Sequence, residues 1–140
     1  MYLRHHFLSC VILSLILYPW FNYYSSLVFI FGFFIDLDHY FYDVIKTGNL
    51  NLFISYKIHM DKNRVMKDQL HIFHTFEFMI LFTSLILFSR NIYLLIIGIG
   101  LVLHWILDWI YLIYSIKMKV DLNQTRAFSL ILWFERNLFN

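Results

Sequence analysis

Four apolar stretches, each about as long as a membrane-spanning helix, make up most of this chain. They run approximately over residues 7–24, 25–45, 71–89 and 92–116, and a helix needs about 20 apolar residues to cross the hydrocarbon core of a bilayer. Only 14% of the residues are charged, compared with roughly 25% in soluble domains. This pattern predicts an all-α fold: a single-domain integral membrane four-helix bundle over 1–140, with an amphipathic C-terminal helix in the surface tail 117–140.

The positive charges predict how these stretches would lie in a membrane. With four spans, the N-terminus, residues 46–70 and the tail share one side and hold one, five and four of the eleven Lys and Arg residues. The opposite side holds only Arg90. Because positive residues concentrate on the cytoplasmic side, both termini are expected in the cytoplasm, with the protein in the cytoplasmic membrane. Residues 46–70 are predicted as a water-exposed loop with a short surface helix around 63–69.

Ionisable residues lie in or at the ends of all four apolar stretches, and the four-span topology brings them to one level. A charged group in hydrocarbon costs at least about 2.5 kcal/mol, so such groups normally face the bundle interior and pair or bind a ligand. Residues three or four apart share a helix face. The sets that share a face are Asp36, His39 and Asp43; His71 and His74; and His104 and Asp108.

Asp38 does not follow this geometry, because in an ideal helix it points away from Asp36. Two explanations remain open from the sequence. Either the second helix ends or unwinds near Leu37, or Asp38 has a different role, such as orienting a metal ligand.

Imidazoles and carboxylates gathered from several helices are the usual ligands of zinc, iron or manganese. The sequence therefore predicts a divalent metal cofactor, zinc in the first place, as one or more ions. The candidate metal ligands are His5, His6, Asp36, His39, His71, His74, His104 and Asp108. Asp38, Asp43 and Glu77 are the candidate catalytic residues, as general base or as orienting groups.

The order of these motifs resembles the YdjM-like (DUF457) family of membrane-bound, metal-dependent hydrolases, over roughly residues 1–115. That family is distantly similar to zinc-dependent phospholipase C and P1-type nucleases. The matching motifs are Asp36-x-Asp38, His74 as the histidine of the family's Thr-His-Ser, and His104-x-x-x-Asp108, with His5 or His6 as the early histidine. The chain departs from the family at Ile35, where the family has proline, at Thr75, where it has serine, and at Gln69, where it has a histidine.

The resemblance implies metal-assisted hydrolysis, with a phosphoester in a lipid or another small, membrane-associated substrate as the expected target. Nucleic acid is not an expected partner, because basic and aromatic residues do not alternate. Membrane lipid is the expected environment. Two alternatives use the same residues: a small transporter or metal-handling protein, and a non-catalytic scaffold whose buried ion pairs only set helix packing.

Overall fold

The computed structural model describes residues 3–60, 66–118 and 124–138 of the chain. The prediction of a helical fold is confirmed for these residues, since helices account for most of them. The α-helices are α1 (Leu3–Phe21), α2 (Ser26–Phe34), α3 (Leu37–Thr47), α4 (Leu52–Met60), α5 (Phe76–Ser89), α6 (Ile92–Met118) and α7 (Leu130–Leu138). Short 3₁₀ turns cover Asn22–Ser25 and Ile72–His74, and the strands β1 (Met66–Leu70) and β2 (Gln124–Ala127) form a small parallel pair.

Two helical runs of the described chain are long and apolar enough to cross a membrane: Arg4–Thr47 and Ile92–Met118. The apolar helix α5 has 14 residues, shorter than the roughly 20 residues of a typical membrane span. The structure therefore supports the prediction of membrane-spanning helices for two runs of the chain.

The described residues form two compact units, and α5 contributes to both. The first unit contains residues up to Ile35 and from Leu81 to Lys117, which include α1, α2 and α6. In this unit α2 and α6 approach so closely that a Cβ atom added to Gly32 would lie 2.7 Å from the carbonyl oxygen of Gly100. Only glycine permits this backbone-to-backbone contact.

The second unit contains Asp36–Ile80 and the residues from Met118 onward, which include α3, α4, α7 and the strand pair. The two strands are parallel although they lie far apart in sequence, with Gln69 paired to Arg126 and Leu70 to Ala127. Helix α3 ends at Gly48, which adopts the left-handed conformation that closes many helices.

The prediction for residues 46–70 was wrong in its details. Helix α4 occupies Leu52–Met60, and residues 66–70 form a strand rather than part of a surface helix; residues 61–65 lie outside the described part. Asn51 explains the start of α4, because its side chain accepts a hydrogen bond from the Phe53 amide at 3.0 Å. The strand forms because β2, far away in sequence, pairs with it, and a local pattern does not reveal such a partner.

Two predicted helices also have different limits. The stretch 25–45 is interrupted at Ile35–Asp36, so the alternative in which the helix breaks near Leu37 is the correct one. The stretch 71–89 becomes α-helical only at Phe76. His71 and His74 therefore lie before α5, and the shared helix face predicted for them is wrong.

Candidate functional site

The first cluster consists of His6, His104 and Asp108, all in the first unit. Their side chains are buried, with exposed fractions of 2%, 0% and 8% for the residues. His6 Nε2 lies 3.3 Å from Asp108 Oδ1, and His104 Nε2 lies 3.6 Å from Asp108 Oδ2. One potential ligand atom from each residue falls within 4.8 Å of the others, so the three together could hold a metal ion.

Helix geometry brings two of the three residues of this cluster together, and packing within the first unit adds the third. His104 and Asp108 are four residues apart on α6 and therefore lie one above the other on the same face. His6 comes from the beginning of α1, and its ring stacks on that of His104 with 3.9 Å between centroids and 16° between planes. The stacked rings turn both Nε2 atoms towards a single carboxylate.

The backbone of α2 determines which nitrogen of His104 carries the proton. His104 Nδ1 lies 2.8 Å from the carbonyl oxygen of Gly32, and a carbonyl oxygen can only accept a hydrogen bond. Gly32 lies in the last turn of α2, where carbonyl groups have no amide partner in their own helix. His104 therefore carries a proton on Nδ1, and in the neutral ring its Nε2 lone pair faces Asp108.

A lone pair facing a carboxylate is unfavourable unless a cation lies between them. A second proton on His104 would supply that charge, as would a metal ion. The donor set fits a metal: two imidazole nitrogens and one carboxylate form the three-ligand set of many catalytic zinc sites, which keep a fourth position open. An Nδ1–H bond to a backbone carbonyl is also the usual partner of a metal-binding histidine.

The second cluster consists of Asp36, Asp38, His39 and His74, all in the second unit. His74 lies between the two carboxylates, with Nδ1 3.1 Å from Asp38 Oδ2 and Nε2 3.5 Å from Asp36 Oδ1. His39 Nε2 lies 3.3 Å from Asp36 Oδ1. Asp38, His39 and His74 form a second group that could hold a metal ion. Because a neutral imidazole has a single N–H, one of the two contacts of His74 again requires a second proton or a metal.

The break between α2 and α3 makes this arrangement possible. In a continuous helix Asp36 and Asp38 would point in nearly opposite directions, at about 200° around the axis. Asp36 instead precedes α3 in a turn conformation, with φ −68° and ψ −2°. Both carboxylates consequently reach the same imidazole. Asp38 also accepts a hydrogen bond from the Phe73 amide at 3.3 Å, which orients it towards His74.

His71 lies beside the second cluster and is 1% exposed. Its ring contacts that of His39, with 3.6 Å between centroids, and its Nδ1 lies 3.9 Å from Asp38 Oδ1. Its Nε2 atom lies 3.0 Å from the side-chain oxygen of Gln69. Gln69, at the position where the resembled family has a histidine, thus contacts the histidine that follows it two residues later.

Three other predicted site residues lie outside both clusters. His5 is exposed, in contrast to its buried neighbour His6. Asp43 is buried in α3, at 4% exposed. The Glu77 carboxylate accepts hydrogen bonds from the backbone amides of Leu130 and Ile131 at the beginning of α7, at 2.9 and 3.3 Å.

Sequence reasoning did not find Gly32 or Gln69 as parts of the site. A backbone carbonyl such as that of Gly32 leaves no signal in residue type. Gln69 did carry a signal, namely its place five residues before His74.

Comparisons of the chain with protein-family models, with curated proteins and with solved structures found no match.

Proposed function

We propose that this chain is a membrane-bound, metal-dependent hydrolase that acts on a phosphoester of a lipid or another membrane-associated substrate. The observation that carries the proposal is the first cluster, in which the Gly32 carbonyl directs the His104 Nε2 lone pair towards a buried carboxylate. The motif order of the YdjM-like family also supports it. The proposed setting is a four-span bundle with both termini in the cytoplasm, in line with the distribution of Lys and Arg.

In this proposal His6, His104 and Asp108 hold one divalent ion, with zinc as the first choice for this donor set. Asp38, His39 and His74 hold a second. A bound divalent metal supplies Lewis acidity, which activates water as a nucleophile near neutral pH and offsets charge on a phosphoryl oxygen.

The protein groups around the second cluster would orient substrate and move protons. Asp38 positions His74 through its bond to Nδ1. The side chains of Asp36 and His39 are 22% and 19% exposed, which makes them the accessible edge of the second cluster. Water and substrate would reach the cluster at this edge, where Asp36 is placed to accept a proton.

One observation favours a second candidate, a metal-handling protein. The three residues of the first cluster are at most 8% exposed, which suits retention of an ion better than access of a large substrate. In that case the protein would bind metal and hydrolyse nothing.

The deciding experiment is metal analysis of the purified protein with a matched histidine pair. His6→Ala removes a buried candidate ligand, whereas His5→Ala removes its exposed neighbour. Loss of a direct ligand is expected to weaken Zn²⁺ binding by about 100-fold or more, since loss of an outer partner alone costs 10- to 100-fold. His5→Ala should bind as the unsubstituted protein does.

Hydrolysis is then measured with a chromogenic phosphodiester and with phospholipid vesicles. Activity that requires metal and disappears in His6→Ala supports the hydrolase. Bound metal without hydrolysis of either substrate supports the metal-handling protein. A purified protein that neither contains nor takes up stoichiometric metal would exclude both.

A further inference from the structure

The loop 71–75, which joins β1 to α5, carries His71 and His74 next to Asp38. His71, His74 and Thr75 are buried, with exposed fractions of 1%, 4% and 1%. Its internal backbone hydrogen bonds are local: the His74 amide donates to His71 and the Thr75 amide to Ile72. Such bonds shape the turn, and one further bond, from the Phe73 amide to Asp38, joins the loop to α3.

Three consecutive residues of the C-terminal segment hold both ends of this loop. On the N-terminal side, Gln69 and Leu70 pair with Arg126 and Ala127 in the strand ladder. On the C-terminal side, the Phe76 amide donates to the carbonyl oxygen of Phe128 at 2.9 Å. The two ends of the histidine loop are therefore tied to one short stretch of backbone, over residues 126–128.

The helix that follows this stretch is itself anchored to the residue after Phe76. The Glu77 carboxylate accepts hydrogen bonds from the Ser129 hydroxyl and from the amides of Leu130 and Ile131. These amides belong to the first turn of α7, where they have no partner within the helix. A carboxylate at this position also interacts favourably with the positive end of the helix dipole.

A second anchor joins α7 to β1 just before Gln69. Trp133 Nε1 donates to the backbone oxygen of Asp68 at 2.9 Å, and Arg136 pairs with the Asp68 carboxylate. Asp68 has a φ of 54°, in the left-handed region that non-glycine residues seldom adopt. Contacts from α7 thus stabilise a backbone conformation of Asp68 that is unfavourable by itself.

We propose that the segment Gln124–Leu138 is a brace that holds His71 and His74 in position, with Glu77 and Trp133 as its positioning residues. This role rests on the proposed function in so far as the loop presents a metal ligand. It assigns Glu77 to the support of the site rather than to catalysis. It also makes the C-terminal segment, which lies outside the family resemblance, part of the functional unit.

The test is chemical modification of histidines in the full chain after treatment with a chelator, so that it does not depend on bound metal. Diethylpyrocarbonate is applied at a pH above the ordinary imidazole pKa, and modification of each histidine is followed by peptide mass spectrometry. Glu77→Ala removes the anchor, and Glu77→Gln keeps an acceptor without the charge. Trp133→Phe removes only the indole donor and keeps an aromatic ring.

In the unsubstituted protein, exposed His5 should react quickly, while buried His71 and His74 should react slowly. Glu77→Ala removes the acceptor of three hydrogen bonds. The rate at His71 and His74 should therefore rise at least about tenfold, the factor expected when a single charged hydrogen bond is lost. Trp133→Phe and Glu77→Gln should give smaller increases. His6 and His104, in the other unit, should keep their slow rates in all three variants.

A metal titration adds a measurement that general loosening would not reproduce. With Zn²⁺ alone as the probe, Glu77→Ala should weaken one class of site at least tenfold and leave the other unchanged, with partial recovery in Glu77→Gln. Unchanged rates at His71 and His74 in both Glu77→Ala and Trp133→Phe would overturn the brace. Equal exposure of all histidines in both variants would also overturn it, because the segment would then stabilise the whole chain. If the protein binds no metal but the variants expose only His71 and His74, the brace proposal stands and the proposed hydrolase function is excluded.

Discussion

Substituting Gly32 with alanine tests whether the contact between α2 and α6 sets the tautomer of His104. The added Cβ would lie 2.7 Å from the Gly100 oxygen and 3.0 Å from Cys10 Sγ, where ordinary contacts begin at 3.4 Å. The Gly100 oxygen belongs to the helix backbone and cannot rotate away. The two helices must therefore separate locally by about 0.7 Å, the difference between 3.4 and 2.7 Å.

This separation is large compared with the tolerance of the hydrogen bond to His104. The Nδ1-to-oxygen distance of 2.8 Å would lengthen to about 3.5 Å, outside the range of about 2.7–3.2 Å for such bonds. Overpacking costs about 1–3 kcal/mol, and the lost buried bond adds about 1 kcal/mol. Alanine regains about 1 kcal/mol through its higher helix propensity. We therefore expect the free energy of unfolding to fall by about 1–3 kcal/mol and Zn²⁺ affinity to fall about 10- to 100-fold.

Gly98→Ala is the matched control on α6. A Cβ at Gly98 would meet the terminal Cδ1 atom of Ile86 at 2.6 Å, and the end of a flexible side chain can turn aside. Both alanines raise helix propensity by about 1 kcal/mol, so this contribution cancels in the comparison. Gly98→Ala should retain metal affinity and stability.

Zn²⁺ affinity is measured by competition with a chromophoric chelator, and the proton position on His104 by nitrogen NMR of labelled histidine. Loss of affinity in Gly32→Ala should coincide with loss of the Nδ1-protonated signal. Equal affinities for Gly32→Ala and Gly98→Ala would refute the idea that the Gly32 carbonyl prepares His104 for metal.

Three further outcomes follow from single contacts. Asp38→Asn should weaken Zn²⁺ binding at the second cluster by about 100-fold or more, because a neutral amide replaces one of its three proposed ligands; unchanged affinity in the same competition assay would contradict this. Gly48→Ala should lower the free energy of unfolding by about 1 kcal/mol through backbone strain alone, since its φ is 68° and nothing lies within 4 Å of an added Cβ; thermal unfolding in detergent measures it. Arg136→Ala should change stability by less than about 1 kcal/mol, because its pairing with Asp68 is exposed; a larger shift in the unfolding midpoint would show that this ion pair is stronger than surface pairs usually are.

The helical fold could be predicted because it depends on local properties of the chain. Long apolar stretches with few charges favour helices, and α1 and α6 lie close to their predicted limits. The strand pair could not be predicted in the same way. Strand β1 depends on β2, which lies more than fifty residues later, and pairing at such separation leaves no periodic signal in either segment.

The candidate site shows the same division between local and distant contacts. The pair His104 and Asp108 follows directly from helical spacing. The choice between His5 and His6 as the early histidine remained open in the sequence, and the structure places only His6 in a cluster. The metal function itself stays a prediction, which the His5 and His6 variants test.

Glu77 shows that residue type alone does not reveal which groups a side chain contacts. A carboxylate in an apolar stretch indicates a functional or buried charge, and the sequence offered catalysis as its role. Its partners are amides of α7, about fifty residues away. Backbone amides carry no residue identity, so the partners of Glu77 could not be inferred from sequence.

Composition and helical spacing sufficed to predict that this chain is helical and apolar, and to suggest metal binding from the few histidines and carboxylates in its apolar stretches. Tertiary structure alone decided how those side chains are oriented, through the Gly32 carbonyl, the break before α3 and the C-terminal segment beside His71 and His74. The physical reason is that helix formation depends on neighbouring residues, whereas the direction of a lone pair depends on backbone groups brought close by packing. Backbone amides and carbonyls are the same in nearly every residue, so only their position in space distinguishes them.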